Sequence, residues 1–238
     1  MKPAGKAVGD RRRSPRTREL ANGGYRKGDT TRERILNVAL EAFGAAPFTA
    51  VTTRQIAQAA GVSLPVLQYY FGNKEGLYRA CAEAVVERYR KHTSVAATEA
   101  RKVLTGDDSA GTARAHLKTL IAGLAGLLVA SREAEGWSQF VGRELRDAGP
   151  AFEILYERLW SPGLELTARL IGRILGTSEQ DPAARIRALL LISSLLAFQS
   201  GRSISLRAMG WTAIGPEELA QVVSGLNAQI DSIGHDAC

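Results

Sequence analysis

An all-α fold follows from three observations on this 238-residue chain. Apolar residues recur at spacings of three and four, no segment alternates with period two, and leucine, alanine and arginine dominate. Paired helix-start residues, such as Thr52 with Gln55, precede the apolar runs. The chain divides into three parts. A basic tail covers residues 1–29. A three-helix domain covers 30–76, and a larger helical domain covers 77–232.

The formal net charge of +7 is uneven. Residues 1–29 carry nine Lys and Arg against three Asp and Glu, a net of +6, which leaves +1 for the remainder. Glycine, proline and charge give this tail too little apolar surface to fold alone, so disorder is expected. Two roles are open to it: a basic arm that tracks phosphates or enters a minor groove, or a solvated leader.

Thr30 and Glu33 form a capping box for the first helix of the small domain. Ile35, Leu36, Ala39, Leu40 and Phe43 follow at helical spacing, and Gly44 ends the run. Phe48, in the connector, is expected to plug the core. A second capping box, Thr52 with Gln55, starts a short helix whose narrow apolar face is Ile56, Ala57 and Ala60. Gly61 supplies the left-handed residue that ends it, Val62 fills the turn, and Ser63 caps the next helix. Pro65 sits in that helix's first turn, where its missing N–H costs nothing. Leu67 and Phe71 point inward, which leaves Leu64, Pro65, Gln68 and Tyr69 outward. Two short helices joined through one glycine are the pattern of a helix-turn-helix, whose second helix enters the major groove. An ordinary helical hairpin is the other reading of this segment alone. Asn73 then caps a fourth helix with Lys74 in its first turn, an arrangement suited to clamping a phosphate. This helix is expected to reach about Lys91, a length of roughly 28 Å.

Thr105-Gly106-Asp107-Asp108-Ser109 breaks the chain, and a helix from Thr112 to Ala130 follows. Its Gly123 and Gly126 permit close packing or leave room for a ligand. Trp137, Phe140, Val141 and Glu144 fall at i, i+3, i+4 and i+7, and Phe152, Tyr156 and Trp160 repeat the spacing on the next helix. With His116, the residues Trp137, Phe140, Glu144, Phe152, Tyr156 and Trp160 are the candidate lining of an effector pocket. The same spacing also suits an aromatic core. Ile186, Leu189, Leu190, Ser193, Leu196 and Ala197 form a wide stripe, and Leu191, Ile192, Leu195 and Phe198 make that helix apolar almost all round. Such a helix is buried on several sides, against its own domain and a partner chain. Beyond Gly215-Pro216, Leu219, Val222, Val223, Leu226 and Ile230 mark a final amphipathic helix.

Residues 30 to 80 resemble the DNA-binding domain of the TetR family of transcriptional repressors. The matching residues are Thr31 to Leu36, Phe43-Gly44, Arg54 to Ala57, Ala60 to Ser63 and Tyr69 to Glu75. The remainder is similar to the CecR-like (CerR-type) branch through Phe140 to Leu145, Tyr156 to Arg158 and Leu206 to Trp211. Gln68 stands where the family usually has tyrosine, and Tyr70 where it usually has histidine, so individual contacts depart from the common pattern. The resemblance implies a four-helix dimer interface built from two helices per subunit.

Within the small domain, Thr52, Thr53, Tyr70 and Lys74 are the phosphate candidates. Arg54 reaches a base edge and favours guanine through paired donors, or else makes a surface salt bridge. Ser63 belongs to the same contact set. Leu64, Pro65 and Val66 suit thymine methyls, Gln68 suits adenine, and Tyr69 suits the backbone or a base. One such domain offers too little interface for tight specific binding, so a homodimer on a palindromic operator is expected. A small-molecule effector that favours one spacing of the two heads lowers operator affinity by linkage. A ligand-responsive activator and an effector-free, DNA-compacting protein are the alternatives.

No enzyme, cofactor or metal site is expected. His92, His116 and His235 are scattered without ligand spacing, and no nucleophile elbow or phosphate-binding glycine loop occurs. Cys81 and Cys238 lie too far apart in sequence to suggest a disulfide framework, and Cys81 is read as packing rather than redox sensing. The longest apolar runs, Leu120 to Ala130 and Ala188 to Phe198, fall short of the ~18–20 residues of a membrane span. With a charged N-terminus that lacks an apolar stretch, the expectation is a cytoplasmic protein with no membrane partner.

Overall fold

The computed structural model describes residues 15–106, 108–178 and 180–234, and the side chains of 15–29 and 132–135 lie outside that description. Among the described residues all regular structure is helical. The head comprises α1 (Pro15–Ala45), α2 (Thr53–Ala59), α3 (Leu64–Phe71) and the first turns of α4 (Lys74–Thr105). The body contains the rest of α4, then α5 (Ala110–Ala125), α6 (Arg132–Asp147), α7 (Phe152–Leu155), α8 (Ser161–Leu175), α9 (Pro182–Gln199), α10 (Arg202–Met209) and α11 (Pro216–Ser232). Two π-helical turns interrupt this α pattern. Gly126–Ala130 prolongs α5, and Tyr156–Trp160 joins α7 to α8.

In the head, Gln55 N donates to Thr52 Oγ1 at 3.2 Å and Thr52 N to Gln55 Oε1 at 3.0 Å, so the capping box is complete. Gly61 adopts φ 62°, the left-handed residue the turn requires. Ile35, Leu36, Ala39, Leu40, Phe43, Ile56, Ala57, Ala60, Leu67 and Phe71 form one buried core, and Phe48 packs against it through Phe43 and Tyr78. Ser63 holds the N-cap position of α3 without a side-chain cap bond. Its carbonyl accepts from Val66 and Leu67 instead, and Pro65 leaves one donor fewer to satisfy.

Three expectations about element limits need correction. The first helix begins at Pro15, so Thr30 and Glu33 lie inside it and the assigned tail is helical from residue 15. Proline suits a first helical position, and Arg16 to Ala21 includes good helix formers. Residues 1–14 lie outside the described residues. Next, α4 passes Lys91 and ends at Thr105, a rod of about 48 Å. Thr93, a weak helix former, bonds its hydroxyl to the Tyr89 carbonyl at 2.9 Å, and buried Ala100, Val103 and Leu104 anchor the far end. Arg173 then closes the terminus by donating to the carbonyls of Gly106 at 3.0 Å and Asp108 at 3.1 Å. Finally, the helical stretches Ala110–Ala130 and Pro182–Gln199 are long and apolar enough to cross a membrane by length and composition. The short apolar runs concealed this, because small and polar residues extend both helices. The first packs against α4, α8 and α11, and the second leaves much of its surface exposed.

Head and body meet where α1 crosses α6. A Cβ on Gly44 would stand 2.9 Å from Gln139 Cβ and 3.0 Å from Phe140 N, so the two helices touch almost backbone to backbone. Arg143 Nη2 donates to the Gly44 carbonyl at 3.1 Å across this seam. At the start of α4, a Cβ on Gly76 would meet the Phe71 carbonyl oxygen at 2.2 Å, so only glycine allows α3 to turn so tightly into α4. α11 is fixed to α5 by Arg114, which donates to the Ile233 carbonyl at 2.8 Å, and by a Lys118–Asp231 pair at 2.7 Å.

Candidate nucleic-acid interface and effector cavity

The helix-turn-helix presents a continuous outer surface. Thr52, Arg54, Ser63, Pro65, Val66, Gln68 and Tyr69 are exposed, while Thr53, Leu64, Tyr70 and Lys74 are half-buried. Tyr69 is 85% exposed, although its ring is large and apolar enough to be buried. It is held upright edge-on against Tyr70 at 5.3 Å, and Tyr70 leans on Phe71 at 6.1 Å. Asn73 caps α4 by accepting from Gly76 N at 2.8 Å, and Asn73 and Glu75 are exposed at this helix start. Lys74 extends over the Phe48 ring at 4.5 Å, a cation–π contact that the phosphate-clamp reading did not foresee. Arg32 likewise stands over Phe71 at 5.6 Å.

The body contains a cavity of about 600 Å³ between α4, α5, α6, the π-helical turns, α8 and α9. Phe152, Tyr156 and Trp160 line it. Trp137, Phe140, Glu144 and His116 do not, which corrects their placement in the pocket. Trp137 is fully buried against Tyr89, with centroids 5.2 Å apart, and Phe140 against Tyr78 at 5.0 Å. His116 is half-buried on α5, away from the lining. Helical spacing told which residues share a face, but not whether that face meets a void or a neighbour.

Sequence reasoning missed the α4 wall: Tyr89, Arg90, Thr93, Ser94, Ala97 and Arg101 all line the cavity. Their spacing of three and four was available as a signal, a half-polar stripe on a helix that was ended too early. Both π-helical turns also face the void, through Leu128 on one and Tyr156, Arg158, Leu159 and Trp160 on the other. Such turns concentrate at functional sites.

Glu144 has a different place. It is 1% exposed and accepts from the Tyr78 hydroxyl and, at 3.0 Å, from Ala151 N. Burial pushes its carboxyl above the ordinary range, against the lowering effect of these hydrogen bonds. Burial first, and then the Glu144 bond, pushes the Tyr78 phenol up. Tyr78 is flanked by Phe43 at 4.7 Å, Phe48 at 4.9 Å and Phe140, so this buried pair ties α4 and the head core to α6. On α6, Val141 and Leu145 flank Glu144 and face the cavity. Cys81 is free and fully buried, and burial pushes its thiol up, which suits a packing role.

Comparison with known proteins agrees with this geometry. Residues 35–81 match the bacterial regulatory proteins of the tetR family, and residues 113–234 match the C-terminal domain of the HTH-type transcriptional dual regulator CecR. The CecR regulator of Shigella flexneri is 30% identical over 214 residues, 87% of this chain and 92% of its own. A transcriptional regulator from Pseudomonas aeruginosa has the same fold, with a TM-score of 0.59 at 17% identity, covering 87% of this chain and 91% of that one. AibR, solved with isovaleryl coenzyme A and operator DNA, shares it at a TM-score of 0.57 and 14% identity, covering 83% and 96%. Sequence, fold and the presented helix-turn-helix agree: the chain belongs to the TetR family of DNA-binding transcriptional regulators, in the branch with the CecR C-terminal domain.

Proposed function

We propose that this regulator is a homodimeric repressor, released from a palindromic operator when a small molecule fills the body cavity. The observation that carries the proposal is the continuity of α4. Its first turn borders the DNA-facing surface, and its middle and far turns wall the cavity, so one rigid element belongs to both sites. A ligand that favours one position of α4 changes head spacing, and operator affinity falls by linkage. The Glu144–Tyr78 pair supplies a second connection, from the α6 wall of the cavity to the head core.

Thr52, Thr53, Tyr70 and Lys74 hold phosphates in this reading, and Arg54 reads a base edge. Ser63, Leu64, Pro65, Val66, Gln68 and Tyr69 face the groove. Dimerisation uses α9, where Ile186, Leu189 and Leu190 are 58%, 53% and 63% exposed in the single chain. Such a regulator works in the cytoplasm on small-molecule signals, with no catalysis and no membrane partner. AibR, seen with both an acyl coenzyme A and operator DNA, offers the same pairing of sites in a relative of the fold. The name of the Shigella relative, a dual regulator, favours a second reading in which the same binding also activates.

Footprinting and gel shifts on the intergenic DNA beside the gene test the proposal. Protection of a discrete inverted repeat by a dimer is expected. Uniform protection without a palindrome would replace it with a DNA-compacting role, and loss of transcription on deleting the gene would favour activation.

A further inference from the structure

Among the described residues, every charged side chain on the cavity lining is an arginine: Arg90 and Arg101 from α4 and Arg158 from the π-helical turn. No carboxylate among the described residues lines the void. Arg90 and Arg158 are steadied by Glu87 at 3.2 Å and Glu83 at 3.5 Å, acids of α4 that stand outside the lining. No described acid pairs with Arg101, three helical turns beyond Arg90, or about 16 Å along the axis. A further donor, the Gln199 Nε2, lines the cavity buried and without a hydrogen-bond partner among the described residues. Much of the remaining lining is aliphatic and aromatic, including Leu120, Leu124, Leu128, Phe152 and Trp160.

A largely apolar void whose described lining also offers hydrogen-bond donors, and only positive formal charges, selects by chemistry. A neutral apolar molecule would leave the buried amide unpaired, and a cation would meet three arginines. We propose that the cavity takes an amphipathic anion, with its apolar body on the leucine and aromatic wall and its acidic head bound by Arg101. This rests on the reading of the cavity as the effector site, and names the class of molecule that fills it. Arg101 suits the role because its guanidinium offers a planar, doubly donating fork to carboxylate or phosphate without first breaking an ion pair.

The test is calorimetric titration of the full-length protein with three twelve-carbon probes below their micelle concentrations: dodecanoate, dodecanol and dodecyltrimethylammonium. Dodecanoate is expected to bind about tenfold or more tighter than dodecanol, with the ammonium weakest. Arg101→Gln, an exposed position whose change spares the core, should bring dodecanoate down to the affinity of dodecanol and leave dodecanol unchanged. Ala97→Trp and, independently, Ser94→Trp should abolish all binding by filling the void, in proteins that keep the wild-type helical spectrum and melting temperature. Equal affinities for the three probes, all lost in the tryptophan variants, would overturn the anion proposal and leave the cavity as the effector site. Binding that survives both tryptophans would overturn the effector-site reading and this proposal with it, and no binding of any probe would overturn this proposal.

Discussion

Arg54 and Lys74 stand at different parts of the presented surface and answer different questions about DNA. Arg54 is exposed in the first turn of α2, whereas Lys74 is half-buried and drawn over Phe48. Arg54→Ala is expected to cost about 1–3 kcal/mol at one base position, and Lys74→Ala to weaken operator and random DNA alike. Binding titrations on both DNAs decide this, and equal losses for Arg54→Ala would place it in a salt bridge instead. Glu144 makes the other residue-scale prediction. Its carboxyl binds its proton more tightly folded than unfolded, so its contribution favours folding at acid pH. That contribution is lost as pH rises from the unfolded carboxylate range through the raised folded value. Glu144→Gln can keep both hydrogen bonds, with Tyr78 turning acceptor, and carries no charge to desolvate. Urea melts from about pH 4.5 to 7 should show the wild type losing stability relative to the Gln variant as pH rises. Glu144→Ala should lose about 3 kcal/mol, because it strands the Tyr78 hydroxyl and the Ala151 N–H in the core.

Elements were legible in the sequence to the degree that local chemistry decides them. The start of α2 and the turn into α3 depend on Thr52, Gln55 and Gly61, and each does locally what its residue type favours. The ends of α1 and α4 do not obey local rules. Composition placed a tail where α1 runs, and the helix expected to end near Lys91 is carried to Thr105 by buried Val103 and Leu104. The cavity was half legible for a related reason. Phe152, Tyr156 and Trp160, like Trp137, Phe140 and Glu144, fall at helical spacing, yet only the first set faces a void. One glycine was also undervalued by the pattern. Gly76 is an unremarked residue of α4's first turn in sequence, but in the fold it lies against the Phe71 carbonyl. Gly76→Ala is expected to destabilise by about 1–3 kcal/mol through overpacking and to cost more in operator affinity than in helix content. Circular dichroism melts and gel shifts on the same variant measure both, and unchanged values would show that the α3–α4 joint has slack.

For the whole molecule, the exposed α9 face is the feature that one chain cannot explain. Leu190→Arg should convert the protein to a monomer in sedimentation velocity and lower operator affinity by roughly a hundredfold, since each head would then bind alone. A variant that stays dimeric would assign the interface to another surface. Deleting residues 1–25 should lower both affinity and the steepness of its salt dependence if the basic tail tracks phosphates, and leave both unchanged if it is a leader. The seam at Gly44 has its own consequence for how motion in such a molecule can be seen. Because the α1 and α6 backbones touch there and Arg143 bonds across, the gap between head and body is set by hard contact and cannot shorten. A joint of that kind keeps its spacing and changes only its tilt. If an effector tilts the head as proposed, distance labels placed either side of the seam should show no shortening, while labels on Tyr69 of two partnered heads should report the swing. The choice of label position decides whether the transition is seen at all.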